Sequence, residues 1–329
     1  MVWHNSILRF FCLLNSLAFL SLEVVDADEE SISHEEVLSC GSSHTCYIDS
    51  DGALNCHGEN SAYQQAPLKA VAQGEFTQVS SGMFHTCAVV ENNPSVQEFG
   101  MVRCWGKNDH QEAPYRKTRH DHPISTYKQV SVGAGGHTCA LVSNNDVECW
   151  GSNFAGGAPG TITGPFSLVS AGTYHTCGLL SSNDIKCWGS NWFGQAPAFL
   201  GGGNYGQVSS GFHHSCALYL NGSVTCFGEN NENQCDTDSI AGTSFAQVTA
   251  SGYHSCALKS DLSGVVCWGD NSFGQAPMAN STNEYTSVAA PSGHSFKSIS
   301  GGATHTCAYM VDSNDEFVDK KCWGWNVGE

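Results

Sequence analysis

Seven times the chain writes His-Thr-Cys or His-Ser-Cys, at His44, His85, His137, His175, His214, His254 and His305. Seven times a second cysteine follows and opens Cys-x-Gly-x-Asn, at Cys56, Cys104, Cys149, Cys187, Cys226, Cys267 and Cys322. Histidine and thiolate together are zinc chemistry, and paired thiols are redox or disulfide chemistry. Zinc needs four convergent ligands at finger-like spacing, and one His-x-Cys with one distant Cys does not supply them. A Cys-x-x-Cys redox motif is absent. What remains is the structural disulfide. The histidines invite a ring of metal ligands, but each stands two residues from a structural cysteine. Each imidazole is therefore expected to bond backbone within its own repeat. Carboxylates are scattered singly over turns, and no motif sets an acid beside a base or a nucleophile beside either. Cys40 and Cys235 fall outside the pairs and have no evident Cys-His-Asn partnership. The expectation is no enzyme, no catalytic residue, no metal and no cofactor.

The segment between the paired cysteines must position them. Cys139–Val142 and Cys216–Tyr219 are short apolar runs that stop at turn signals, Asn145 and Asn221-Gly222. Folded as a hairpin, Cys216 and Cys226 are symmetric about Asn221. The predicted loop is Leu220-Asn221-Gly222, with Gly222 in the left-handed position of a three-residue turn. Gly52 fits the same slot, and Asn145 and Asn183 are the usual substitutes there. This register sets the two cysteines opposite each other, at about the Cα separation that a disulfide requires. The predicted pairs are Cys46–Cys56, Cys87–Cys104, Cys139–Cys149, Cys177–Cys187, Cys216–Cys226, Cys256–Cys267 and Cys307–Cys322. Each closes a loop of roughly a dozen residues and contributes at most about 3 kcal/mol through chain entropy.

The first cysteines recur at intervals of 38 to 52 residues, the period of one supersecondary unit repeated as a solenoid or ring. No unit offers a sustained helical period. The 329 residues include 36 glycines and 17 cysteines with only 13% charged, a mix that suits a turn-rich, disulfide-bearing β protein. There are 31 acidic and 13 basic residues, which argues against nucleic acid as a partner. Residues 1–27 read as a secretory signal: Arg9, an apolar run from Phe10 to Leu20, then Ala27 before the cut. That run is too short to span a bilayer, so no direct membrane insertion is expected.

The pattern V-S-x-G-x-x-H-[TS]-C-A-L, a turn, V-x-C-W-G-x-N and then G-Q resembles the repeat of the regulator of chromosome condensation family. The resemblance implies an all-β fold, a seven-bladed β-propeller with one intra-blade disulfide per blade. The cysteine-bearing version is similar to the crinkly-type ectodomains of plant receptor kinases and to the β-lactamase-inhibitor propeller group. It covers residues 37–329, with residues 28–36 an N-terminal segment that closes the ring against the seventh blade. Unit three has an extra residue before His137, and unit six moves its glycine to Gly252. His57 and Phe227 replace the usual tryptophan in units one and five. The remaining tryptophans, among them Trp150 and Trp188, are expected to fill gaps between blades, with Asn after Trp-Gly as turn scaffold.

Aromatic residues follow that Asn: Phe154, Trp192-Phe193 and Phe273, with Trp325 nearby. Exposed on one face they would suit protein hot spots or sugar stacking. Because Phe-Gly-Gln recurs within the repeat, they are expected instead to be plugs between blades. Arg116 and Arg119 lie in an insert between units two and three. Asn221-Gly-Ser and Asn280-Ser-Thr are glycosylation acceptors in a secreted chain. The functional expectation is a secreted, non-enzymatic binding module that presents propeller loops to an extracellular or cell-surface protein. A lectin with repeated glycan sites is the alternative. Exchange-factor activity on a small GTPase ranks lower, because export and disulfides separate the chain from such a partner.

Overall fold

The computed structural model describes residues 38–49, 52–58, 76–90, 100–114, 126–277 and 287–325. The chain divides into Met1–Ile32 and Ser33–Glu329, and all described residues belong to the second unit. That unit is a seven-bladed β-propeller of separate antiparallel sheets. Blade 1 holds β1 (Leu38–Cys40), β2 (His44–Ile48) and β3 (Leu54–Gly58). Blade 2 holds β4 (Phe76–Ser81), β5 (His85–Val90) and β6 (Val102–Gly106). Blade 3 holds β7 (Tyr127–Gly133), β8 (His137–Val142), β9 (Val147–Gly151) and a short outer strand, β10 (Thr161–Ile162). Blade 4 holds β11 (Phe166–Ala171), β12 (His175–Leu180) and β13 (Ile185–Gly189). Blade 5 holds β14 (Tyr205–Ser210), β15 (His214–Tyr219) and β16 (Val224–Gly228). Blade 6 holds β17 (Phe245–Ala250), β18 (His254–Lys259), β19 (Gly264–Gly269) and β20 (Ser287–Ala289). Blade 7 holds β21 (Ser295–Gly301), β22 (His305–Val311) and β23 (Phe317–Gly324).

Each middle strand is covered by its own disulfide and by both neighbouring blades, so it reads as a continuous buried run rather than an alternating one. His-Thr-Cys-Ala-Val-Val of β5 and His-Thr-Cys-Ala-Leu-Val of β8 are buried throughout. The inner strands alternate, and six of them carry a register shift at the same place, as at Phe76/Gln78 and Phe166/Leu168. The core lies between blades. Val130, Val132 and Val142 of blade 3 pack on Val89, Val102 and Cys104 of blade 2. Small residues let the sheets approach: Ala88, Ala140, Ala217, Ala257 and Ala308 are fully buried. Gly178 takes the same place in blade 4 because Phe166 fills the space, and a Cβ there would lie 2.6 Å from the ring.

The hairpin tips match the expected turn. Tyr219 N–H donates to Ser223 O and Gly222 N–H to Tyr219 O, and Gly222 has φ +84°. Gly52, Asn145 and Asn183 take the same left-handed slot, with φ of 73°, 67° and 61°. Leu262 fills it in blade 6, at φ 58°. The departures at units three and six leave the register intact. Gly133–Gly136 forms a closed turn, and Ser251 N–H reaches His254 O as Gly211 N–H reaches His214 O. The expected ring closure by residues 28–36 lies outside the described residues. Among those described, β1 meets β21 directly, with Cys40 N–H donating to Ser300 Oγ at 2.9 Å.

Candidate functional site

The opening chemistry resolves into staples. All seven expected cysteine pairs are disulfides between facing residues of the middle and third strands, with Cα separations of 4.0–4.1 Å. Each locks the hairpin whose turn and register bring its cysteines together.

The expectation that each histidine bonds backbone within its own repeat is overturned. Each Nε2 reaches the Thr or Ser hydroxyl of the next blade's motif at 2.7–3.1 Å, and His305 closes the circle on Thr45. The residue beside each cysteine is the neighbouring blade's partner, so the contact spans the blade interface. Thr138, Thr176, Ser215 and Ser255 pass their own protons to the carbonyls of Glu112, Gly157, Gln195 and Gln234. With the hydroxyl proton committed, the imidazole must donate from Nε2. Trp150, Trp188 and Trp268 donate their indole N–H groups to three of the same carbonyls, at 3.0–3.2 Å, and so sit between blades as expected.

Burial holds these imidazoles neutral: His44, His137 and His305 titrate at about 4, and His85, His175, His214 and His254 at about 3. Among the described residues, the one grouping with metal-ligand proximity is Cys40, His305 and Cys307. Cys307 is already committed to Cys322 there.

A second ring lines the axis. Ser39, Ser80, Ser131, Ser170, Ser209, Thr249 and Ser300 each accept a backbone N–H from the next blade's inner strand at 2.8–3.2 Å. They surround a narrow channel of about 190 Å³ lined by small residues from all seven inner strands. No charged side chain lines it.

The chemically distinctive surface is one face of the ring, built from the turns before each motif histidine and the loops after each third strand. Here the expectation of buried plugs is overturned. Trp192 is 72% exposed, Trp325 58%, Phe154 52%, Phe273 47% and Phe193 46%. The loop geometry explains this. Asn108, Asn153, Asn191, Asn230 and Asn271 each accept the backbone N–H five residues on, closing the loop as turn scaffold. Gln111, Gly156, Gly194, Asn233 and Gly274 take positive φ within it. The closed loop turns its later carbonyls, Glu112, Gly157, Gln195 and Gln234, to the next blade and leaves the one or two residues after Asn facing outward.

The rings cluster across blades. Phe154 packs on Tyr174 at 4.8 Å and on Trp192 at 6.0 Å, Phe193 on His213 at 5.3 Å, and Phe273 on Trp325 at 5.5 Å. Sequence reasoning missed the turn residues that complete this face: Phe84, Tyr174, His213 and Tyr253, each immediately before a motif histidine. That recurring aromatic position was a visible signal. A cavity of about 340 Å³ lies among Met83, Phe84, Tyr174, Phe212 and His213. Lys107 lies over the Phe84 ring at 5.5 Å and pairs with Asp109 at 3.2 Å.

Residues 127–156, 166–195, 207–234 and 245–275, within blades 3 to 6, match the regulator of chromosome condensation (RCC1) repeat. Four of the seven blades therefore carry this repeat. Solved structures share the fold. The receptor kinase CR4 ectodomain of Physcomitrella patens is similar at 22% identity and a TM-score of 0.65, over 88% of this chain and 73% of that one. The crinkly ectodomain of the Arabidopsis thaliana receptor kinase ACR4 is similar at 20% identity and 0.65, over 88% and 96%. Prp20p of Saccharomyces cerevisiae is similar at 16% identity and 0.67, over 84% and 83%; its structure was described with its binding to Gsp1p and histones.

In this propeller Asn221 is exposed at a hairpin tip, at the end of the strands opposite the aromatic face. Arg116, Arg119 and Asn280 lie outside the described residues. Cys40 is a buried free thiol and Cys235 a partly buried one. Burial pushes Cys40 up to about 11 and Cys235 to about 12, Cys235 with the help of the Glu229 carboxylate. Both are therefore held as protonated thiols at neutral pH.

Proposed function

We propose that this protein is a secreted, non-enzymatic binding module that engages an extracellular or cell-surface protein through its aromatic face. The observation that carries the reading is the cluster of Phe154, Tyr174, Trp192 and Phe193 on blades 3 and 4, extended to blade 5 by His213, on loops held rigid by the disulfide-stapled scaffold. An exposed tryptophan beside a half-buried tyrosine on a preorganised surface is what protein hot spots are made of. Seven disulfides and the likeness to receptor ectodomains support an extracellular address. The secretory reading of residues 1–27 and glycosylation at Asn221 and Asn280 belong to the same proposal. No helix among the described residues is long and apolar enough to cross a membrane.

A glycan-binding reading has one specific support, the solvent-facing Trp192 ring beside Phe154. One experiment separates the two. Secreted protein is immobilised and offered a cell-surface extract with and without free mono- and oligosaccharides. The proposal expects one protein to be retained, released by excess soluble propeller and indifferent to sugar. Elution by sugar would replace it with the lectin reading.

A further inference from the structure

Six of the seven blade interfaces are crossed by the chain itself. The seventh, between blade 7 and blade 1, is different. As at every other interface among the described residues, no strand of one blade enters the other's sheet. The seam is held by the hydrogen bond from Cys40 N–H to Ser300 Oγ, the contact of Thr45 Oγ1 with His305 Nε2 at 3.0 Å, and packing of Tyr47 on Phe317 at 5.8 Å. Here the fold gathers three sulfurs. Cys40 lies in β1 of blade 1, Cys307 in β22 and Cys322 in β23 of blade 7. Ligand atoms of Cys40, His305 and Cys307 lie within 4.8 Å of one another. Thr45 Oγ1 is 3.7 Å from both Cys40 Sγ and Cys307 Sγ. At the register position of Cys40 the other blades carry Ser81, Val132, Ala171, Ser210, Ala250 and Gly301. A thiol stands at this position only where the ring has no peptide link.

We propose that Cys40 exchanges with the blade 7 disulfide and closes the ring covalently through a Cys40–Cys307 bond. The Cys40 thiolate attacks Cys307 Sγ, the Cys307–Cys322 bond breaks, and its electron pair leaves on Cys322. The proton lost by Cys40 is made up at Cys322 from solvent, the number of disulfides is unchanged, and no oxidant or reductant is consumed. Cys307 and Cys40 need to approach by under about 3 Å to reach bonding distance. Cys322 sits on the outermost strand and is half-buried, so the product carries its free thiol where water reaches it. The exchange trades a staple within one hairpin for a link that encloses nearly the whole ring, and that link constrains the unfolded chain far more. Burial keeps Cys40 protonated at neutral pH and so holds the exchange in check.

The test is non-reducing peptide mapping of the purified protein held without oxidant at pH 7, 8 and 9, acid-quenched and alkylated with iodoacetamide. The expected result is a Cys40–Cys307 linked peptide with alkylated Cys322, its formation rate rising about tenfold per pH unit. Cys40→Ser is expected to keep only Cys307–Cys322 at every pH. Cys322→Ser, mildly oxidised, is expected to form Cys40–Cys307 directly, which checks the geometry without the leaving group. Circular dichroism verifies the fold of each. Recovery of Cys307–Cys322 alone at every pH, or a Cys40 linked to Cys235, overturns the proposal.

Discussion

The inner ring and the aromatic face are made from the same seven repeats, yet they treat repetition in opposite ways. Around the axis every blade makes the same two contacts, imidazole to the next hydroxyl and next backbone N–H to serine or threonine oxygen. On the face the backbone repeats and the side chains do not. The position after the loop Asn holds Asp109, Phe154, Trp192, Asn231 and Ser272, and the next holds His110, Ala155, Phe193, Glu232 and Phe273. Contacts that close a ring must fit both neighbours, so they are uniform. The loop residues just after Asn take no part in that closure, so they are free to differ, and there recognition is expected to reside.

The sharpest way to break this contrast is acid. The ring histidines have folded values of about 3 to 4, below the ordinary 6.5. The unfolded chain therefore binds more protons than the folded one below pH 6.5, and stability present above that pH is lost as pH falls toward 4. At pH 5 each such histidine favours unfolding by about 2 kcal/mol. Seven together rival the whole stability of an ordinary domain, about 5–15 kcal/mol. Circular dichroism against pH is expected to show cooperative unfolding between about pH 6 and 4. A protein fully folded at pH 4 would mean that the ring histidines are not buried neutral.

Removing one ring member comes next. His175→Ala leaves the Ser215 hydroxyl without its donor and opens a cavity, at a cost of about 3 kcal/mol measured by chemical denaturation. Partner binding by the folded fraction is expected to be unchanged. On the face the pattern inverts. Trp192→Ala with Phe193→Ala is expected to weaken binding by about 2–4 kcal/mol, while stability stays within about 0.5 kcal/mol. Titration calorimetry and thermal melts on one preparation separate the two effects. The smallest effect is at the far end of the blades. Asn221→Gln is expected to remove one glycosidase-sensitive mobility shift and leave both binding and stability unchanged.

What the sequence made legible was local. Eleven residues from Cys216 to Cys226, centred on Asn221, determine turn, register and disulfide at once. Leu262 in the left-handed slot was not foreseen, because the eleven-residue spacing of Cys256 and Cys267 hides the symmetry. The partners of the histidines were not legible either, since they lie 39 or more residues away on another sheet and depend on how blades stack. The outward turn of Phe154 and Trp192 was missed for a related reason. A repeated Phe-Gly, as at Phe193-Gly194 and Phe273-Gly274, reads as packing until the positive φ of Gly194 and Gly274 shows a loop that leaves its aromatic side chain outside.

The most direct measurement is oxidative footprinting of the propeller with and without its captured partner. The account predicts protection of Phe154, Trp192, Phe193 and Tyr174, with the hairpin tips around Asn145, Asn183 and Asn221 unchanged. Protection confined to the tips, with Trp192 as reactive in the complex as alone, would contradict it.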